Sequence, residues 1–167
     1  WVHEQVHSLQ DFNESPLDVP PQMHQTAWCA DRAIEFMEQE RGETPWLMSV
    51  NPFDPHPPLD PPREYLERYQ SDQLPGYAVG DGDVAYHARF ADVDFGIPDK
   101  PLDLELRQQM QAAYFAMITL IDDNVGRMLD SLERNGQRQD TIVIFTSDHG
   151  DMMGEHSLRH KGSRFYE

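Results

Sequence analysis

Residues 141–167 read TIVIFTSDHGDMMGEHSLRHKGSRFYE, and residues 141–146 of that stretch are apolar and β-branched without alternation. Such a run predicts a strand buried on both faces, the kind found in parallel sheets covered by helices. It stops at Ser147-Asp148-His149-Gly150. In open α/β sheets, binding groups gather at the carboxyl ends of strands, where loops present side chains to a crevice. The Asp-His pair therefore sits where such a sheet would place its chemistry.

Working upstream, residues 103–135 carry Leu106, Met110, Ala113, Met117, Leu120, Ile121, Val125, Met128 and Leu132 at three- and four-residue steps, closed by Asn135-Gly136. That period predicts one long helix of up to about 50 Å, at 1.5 Å rise per residue. A second short apolar run, PWLMSVN at 45–51, lies between Pro45 and Pro52 and predicts another buried strand. Before it, residues 26–41 place Trp28, Ala30, Ala33, Ile34 and Met37 on one helical stripe, with Gly42 just beyond as a C-cap.

The segment PFDPHPPLDPP at 52–62 holds too many prolines for a helix or a central strand, so it is a stiff loop leaving the first strand. Residues 62–70 form a short helix begun by proline, and residues 1–25 an irregular, proline-marked lead-in. Residues 71–100 show no sustained period and are expected to be a long loop or insertion. Helix, strand, loop, helix, helix and strand spell an α/β layer fold, with a mostly parallel or mixed sheet flanked by helices.

The chain has 167 residues, with 13 Lys and Arg against 30 Asp and Glu and a net charge of -17. So negative an average field repels a phosphate backbone and argues against nucleic acid as a partner. No apolar stretch approaches the roughly 20 residues of a membrane helix. The single cysteine, Cys29, excludes an internal disulfide and a cysteine-based zinc site. A start at Trp1 and a stop inside the richest motif lead us to expect the central part of a single larger domain.

A carboxylate and an imidazole suit a divalent metal of intermediate hardness, and Gly150 permits a sharp backbone path beside Asp148 and His149. The plainer alternative is a turn in which Asp148 bonds to backbone amides. Lys161, with Arg159 and Arg164, makes a local cationic group that reads either as an anion pocket or as a solvated surface. His56, in the proline-rich loop, is suited to proton transfer near neutral pH, or is a loop histidine without a role. His156 and His160 read as surface residues, Asp122 and Asp123 as a solvated face or structural partners, and the Asp81–Asp83 stretch lacks calcium-hand spacing.

These stretches together resemble the sulfatase family of the alkaline-phosphatase superfamily. Residues 141–167 are similar to its second signature region, PWLMSVNPFDPHPPLDPPREYLERY to its strand-to-histidine loop, and AYFAMITLIDDNVGRMLDSLERNGQRQDT to the helix before the signature. The resemblance implies hydrolysis of sulfate esters of small molecules or glycans. It implies that Asp148 and His149 are ligands of Ca2+ or Mn2+, that Lys161 contacts the transferring group, and that His56 binds and protonates the leaving group. It also implies a formylglycine nucleophile made within Cys-x-Pro-x-Arg. Cys29 is followed by Ala30, Asp31, Arg32 and Ala33, which breaks that pattern, so the nucleophile is expected outside this chain and Cys29 is a packing residue. A phosphonate or phosphodiester hydrolase of the same superfamily and a noncatalytic metal- or glycan-binding relative are the alternatives. The family suggests a periplasmic, secreted or lysosomal setting, with a cytoplasmic one also open.

Overall fold

A computed structural model describes residues 18–42, 44–76, 78–90, 103–158 and 161. The chain divides into two compact units, Trp1–Tyr69 with Ala113–Val143, and Gln70–Ala112 with Ile144–Glu167.

In the first unit, helix α1 spans Gln25–Met37 and buries Thr26, Ala27, Ala30, Ala33 and Met37 at three- and four-residue steps. The sequence placed Trp28 on this stripe, but its ring lies on the outer side and is exposed. The helix also stops at Met37 rather than 41, with Glu38 as its cap, while Gly42 takes its left-handed φ of 57° beyond the end. A one-turn helix, α2, spans Arg63–Leu66 after Pro62. Tyr65 from α2 packs with Ala116 and Leu120 of the long helix, and Leu66 and Tyr69 lie against this cluster. The Tyr65 hydroxyl donates to Asp123 at 2.7 Å, and Arg68 stacks over the Tyr65 ring while pairing with Asp123. Asp123 is thus a structural partner.

The long helix, α4, spans Leu104–Arg134 as its period predicted. Asp103 caps its start by accepting the Leu106 N–H at 2.8 Å. Its end is a Schellman turn: the Gly136 N–H donates to Glu133 O, the Gln137 N–H reaches back to Leu132 O at 2.9 Å, and Gly136 takes a φ of 68°. Asp31 of α1 and its cap Glu38 are met by Arg127 and Ser131 of α4, which ties the two helices along their polar edges.

The two predicted strands differ from expectation. Residues 44–53 and 142–147 carry no ladder hydrogen bonds to described residues, and Leu47, Ile142 and Ile144 are 95%, 90% and 82% exposed. A strand buried on both faces needs neighbours on each side, and the described residues supply none. The β-branched composition is that of a sheet interior all the same.

In the second unit, residues 71–90 are folded into a turn at Ser71–Gln73, a short helix α3 at Asp83–His87 and a turn at Ala88–Phe90. Gln111 accepts the Gly76 N–H at 3.1 Å, and the Gln108 amide donates to Leu74 O, which fastens this segment to the first turns of α4. Residues 153–158 are clasped to it as well. The His156 N–H donates to Ala78 O at 2.8 Å, the Ala78 N–H donates to Glu155 Oε2 at 3.2 Å, and His156 Nδ1 lies 3.2 Å from Asp83 Oδ2. Met153 and Leu158 are buried beneath. Residues 91–102 of the expected long loop lie outside the described residues.

Candidate functional site

The segment after residue 146 is held mainly by its own polar groups. Asp148 Oδ1 accepts the His149 N–H at 2.8 Å, and the Ser147 hydroxyl donates to His149 O at 2.6 Å. The plainer turn reading of Asp148 is therefore present, but it uses only one carboxylate oxygen. The other, Oδ2, lies 3.4 Å from Nε2 of His149. On the far side of the same ring, Nδ1 is 2.8 Å from the carbonyl of Gly150.

A carbonyl oxygen only accepts, so Nδ1 carries a proton, and Nε2 is the ring nitrogen left on the Asp148 side. Nε2 and Oδ2, 3.4 Å apart, are two atoms that can share a cation, either a proton or a metal. Metal–ligand distances of about 2.0 to 2.5 Å to both atoms are compatible with that separation. The donor set fits a divalent metal, and the Gly150 carbonyl supplies the outer hydrogen bond that fixes a ligating imidazole. Among the described residues no group of three or more His, Cys, Asp or Glu side chains converges on one point. Asp148 and His149 thus stand as two potential donors, and the Asp148 side chain is 85% exposed.

The chain bends at Asp148, and Gly150 does not take a positive φ. The left-handed residues lie further on, at Met153, Gly154, His156 and Ser157. Three of these carry a Cβ, so the turn is strained locally and is held by the clasp to Ala78 and Asp83. His156 is therefore a partly buried structural residue rather than the surface histidine the sequence suggested. Asp83 accepts the Gly80 N–H at 2.7 Å. That bond, with the neighbouring His156, holds its carboxyl below the ordinary range.

Lys161 is half-buried in the same unit, and among the described residues no carboxylate pairs with it. Arg159, His160 and Arg164, singled out with it, lie outside the described residues.

His56 belongs to the first unit. It closes a turn in which its N–H donates to Phe53 O at 3.1 Å, and its ring tilts against that of Phe53 at 4.8 Å between centroids. Nδ1 lies 2.7 Å from the Pro57 carbonyl. By the same reasoning as for His149, Nδ1 holds a proton, and the residue is exposed.

What the sequence did not show is the anchor behind this turn. Asp54, 4% exposed, accepts from the Thr26 hydroxyl and from the Gln25 amide at 3.1 Å, with His24 Nδ1 3.4 Å from Oδ2. His24 Nδ1 also lies 3.3 Å from the Thr26 N–H. One nitrogen cannot donate to Asp54 and accept from Thr26 at once, so the two contacts are alternatives set by the tautomer. Cys29, on α1 nearby, is half-buried, and burial together with the charge of Asp54 pushes its thiol up. That is the reverse of what a thiolate nucleophile needs.

The chain was compared with known proteins. The family model described as Sulfatase matches residues 5–167. An arylsulfatase of Clostridium perfringens is 33% identical over 140 residues, covering 84% of this chain and 29% of that protein. A multifunctional alkaline phosphatase superfamily protein of Trinickia caryophylli is 30% identical over 173 residues, covering 95% of this chain and 33% of that protein. Among solved structures, the phosphonate monoester hydrolase of Agrobacterium radiobacter superposes with a TM-score of 0.79 at 27% identity, over 92% of this chain and 33% of that one. The chain spans about a third of the length of the curated relatives it matches.

Proposed function

Because the chain belongs to the sulfatase family, we propose that it supplies metal-binding, charge-stabilising and leaving-group residues to a hydrolase of sulfate esters. Its structural neighbours are phosphonate monoester hydrolases. We read residues 45–51 and 141–146 as strands of that fold's mostly parallel or mixed sheet, flanked by helices. In this reading 1–167 is the central part of one catalytic domain, and the irregular 71–100 segment takes part in recognising the alcohol. The reading rests on His149 Nε2 and Asp148 Oδ2, two potential donor atoms set 3.4 Å apart.

The reaction converts an alkyl or aryl sulfate and water to the free alcohol and hydrogen sulfate, breaking the bond between sulfur and the bridging oxygen. As that bond breaks, negative charge grows on the bridging oxygen. His56 in its imidazolium form delivers the Nε2 proton there, and the Pro57 carbonyl keeps the ring turned with Nδ1 inward. Lys161 places its ammonium against the non-bridging oxygens and stabilises their charge. Asp148 and His149 hold a divalent cation, Ca2+ on the hardness of the carboxylate and Mn2+ as the other fit. When bound, that cation would supply Lewis-acid stabilisation of developing negative charge. The family's formylglycine supplies the nucleophile, and with Cys29 outside the required pattern it belongs to a part of the enzyme beyond this chain.

A second reading, hydrolysis of phosphonate monoesters, is favoured by the TM-score of 0.79 to a phosphonate monoester hydrolase. Comparing kcat/KM of the intact enzyme on 4-nitrophenyl sulfate and on 4-nitrophenyl phenylphosphonate separates the two. The sulfate reading expects the sulfate to be preferred by about tenfold or more, roughly 1.4 kcal/mol of differential transition-state binding. A reversed preference establishes the second reading, and turnover of neither would point to a noncatalytic binding relative.

A further inference from the structure

We propose that Asp54 is a positioning residue for the reaction, aiming His56 through a buried polar anchor on the first turn of α1. The inference rests on the leaving-group role given to His56. Asp54 stands two residues before His56, and the turn between them is closed by the His56 N–H to Phe53 O bond. His56 and Phe53 are exposed, so little packing holds the ring. Asp54 is the opposite: its side chain is fully buried and receives the Thr26 hydroxyl and the Gln25 amide, with His24 alongside.

A buried carboxylate is costly unless such donors surround it, and a hydrophobic residue would fill the position at no desolvation cost. What a carboxylate adds is direction. Its bonds run to the backbone-fixed start of a helix, so the register of residues 53–57 on α1 is defined by bonds rather than by a greasy contact that can slide. Leu59, Pro61 and Pro62, all buried, hold the other end of the loop. His56 is thus an exposed ring mounted on a loop that is fastened at both ends, the arrangement a proton donor needs when its substrate arrives from solvent. Burial, and after it the charge of Asp54, also raises the carboxyl of Asp60, the second acidic group of the loop.

A misplaced donor loses rate in proportion to how much protonation the leaving group requires, whereas a merely loosened fold loses rate equally on all substrates. The test compares intact wild-type enzyme with Asp54→Asn, Thr26→Val, Thr26→Ser and His56→Ala on a series of aryl and alkyl sulfates of rising leaving-group pKa. His56→Ala sets the reference, with a loss that grows along the series. Asp54→Asn and Thr26→Val should follow the same trend at smaller amplitude, falling about 10-fold on the poorest leaving groups, within the range that misplacement of a catalytic group produces. On the best leaving groups they should fall less than about twofold, with KM unchanged, and Thr26→Ser, which keeps the hydroxyl, should restore the rate. If Asp54→Asn does not fold, the Thr26 pair decides alone. A uniform loss in the Asp54 and Thr26 variants beside a graded loss in His56→Ala overturns the positioning role and leaves the His56 role standing. A uniform loss in His56→Ala overturns both.

Discussion

His149 turns its Nδ1 to the Gly150 carbonyl at 2.8 Å and so presents Nε2 to Asp148 Oδ2 at 3.4 Å. The carbonyl holds the Nδ1 proton, and Nε2 and Oδ2 are left as the two atoms that can share a cation. Replacing both residues, as Asp148→Asn with His149→Ala, removes the charged ligand and the nitrogen together. Metal analysis of the intact double variant should show loss of stoichiometric divalent metal, and tightly bound metal at the wild-type ratio would move the metal site elsewhere.

Lys161 should act on developing charge more than on folding. It is half-buried in a segment next to a glycine, and no described carboxylate pairs with it. Lys161→Ala in the intact enzyme should lower kcat by about 10²-fold, the scale of one lost oxyanion-stabilising group, while the thermal midpoint stays within the scatter of wild type. Near-normal turnover would return Lys161 to the solvated surface.

Cys29 should be a sluggish thiol. Burial, with Asp54 adding to it, raises its pKa, so its thiolate fraction at neutral pH is smaller than that of a free cysteine. Alkylation of the Cys29 peptide by iodoacetamide, followed by mass spectrometry, should keep accelerating past the ordinary thiol range of about 8.5. A rate that levels off below that range would contradict the packing role.

The clasp between α3 and residues 153–158 should weaken in acid. Asp83 is held below its ordinary value of 3.8, first by the Gly80 N–H and then by His156. A carboxyl depressed in the folded state contributes stability above its unfolded value, and that contribution is lost as pH falls through the lower folded one. Wild type should therefore lose more stability than Asp83→Asn between pH 5 and pH about 2.5 in urea titrations. Parallel curves would mean that the clasp does not depend on the Asp83 charge.

Helices were legible in the sequence where a long period and a terminal signal agreed. For α4 the stripe from Leu106 to Leu132 set its length, and Asn135-Gly136 marked an end that the structure closes by a Schellman turn. Trp28 was misplaced because size and apolarity suggest burial, whereas the neighbours on that stripe of α1 are alanines and Thr26. The two strands were legible by composition only, since the burial of β-branched residues depends on partners that a local pattern does not contain. Asp148, His149 and His56 stood out because each follows an apolar run or sits among prolines. The Asp54 anchor did not, because its partners lie 28 and 29 residues away in sequence and no local spacing links them.

The most direct test of the account is the metal dependence of sulfate release. Intact enzyme stripped by a chelator is given 4-nitrophenyl sulfate, free sulfate is measured by ion chromatography, and Ca2+ or Mn2+ is then restored. Release should stop on stripping, return with the added cation in wild type, and fail to return in the Asp148→Asn, His149→Ala variant. Sulfate release that continues at the wild-type rate in the stripped enzyme, or that returns fully in the double variant, would contradict the account.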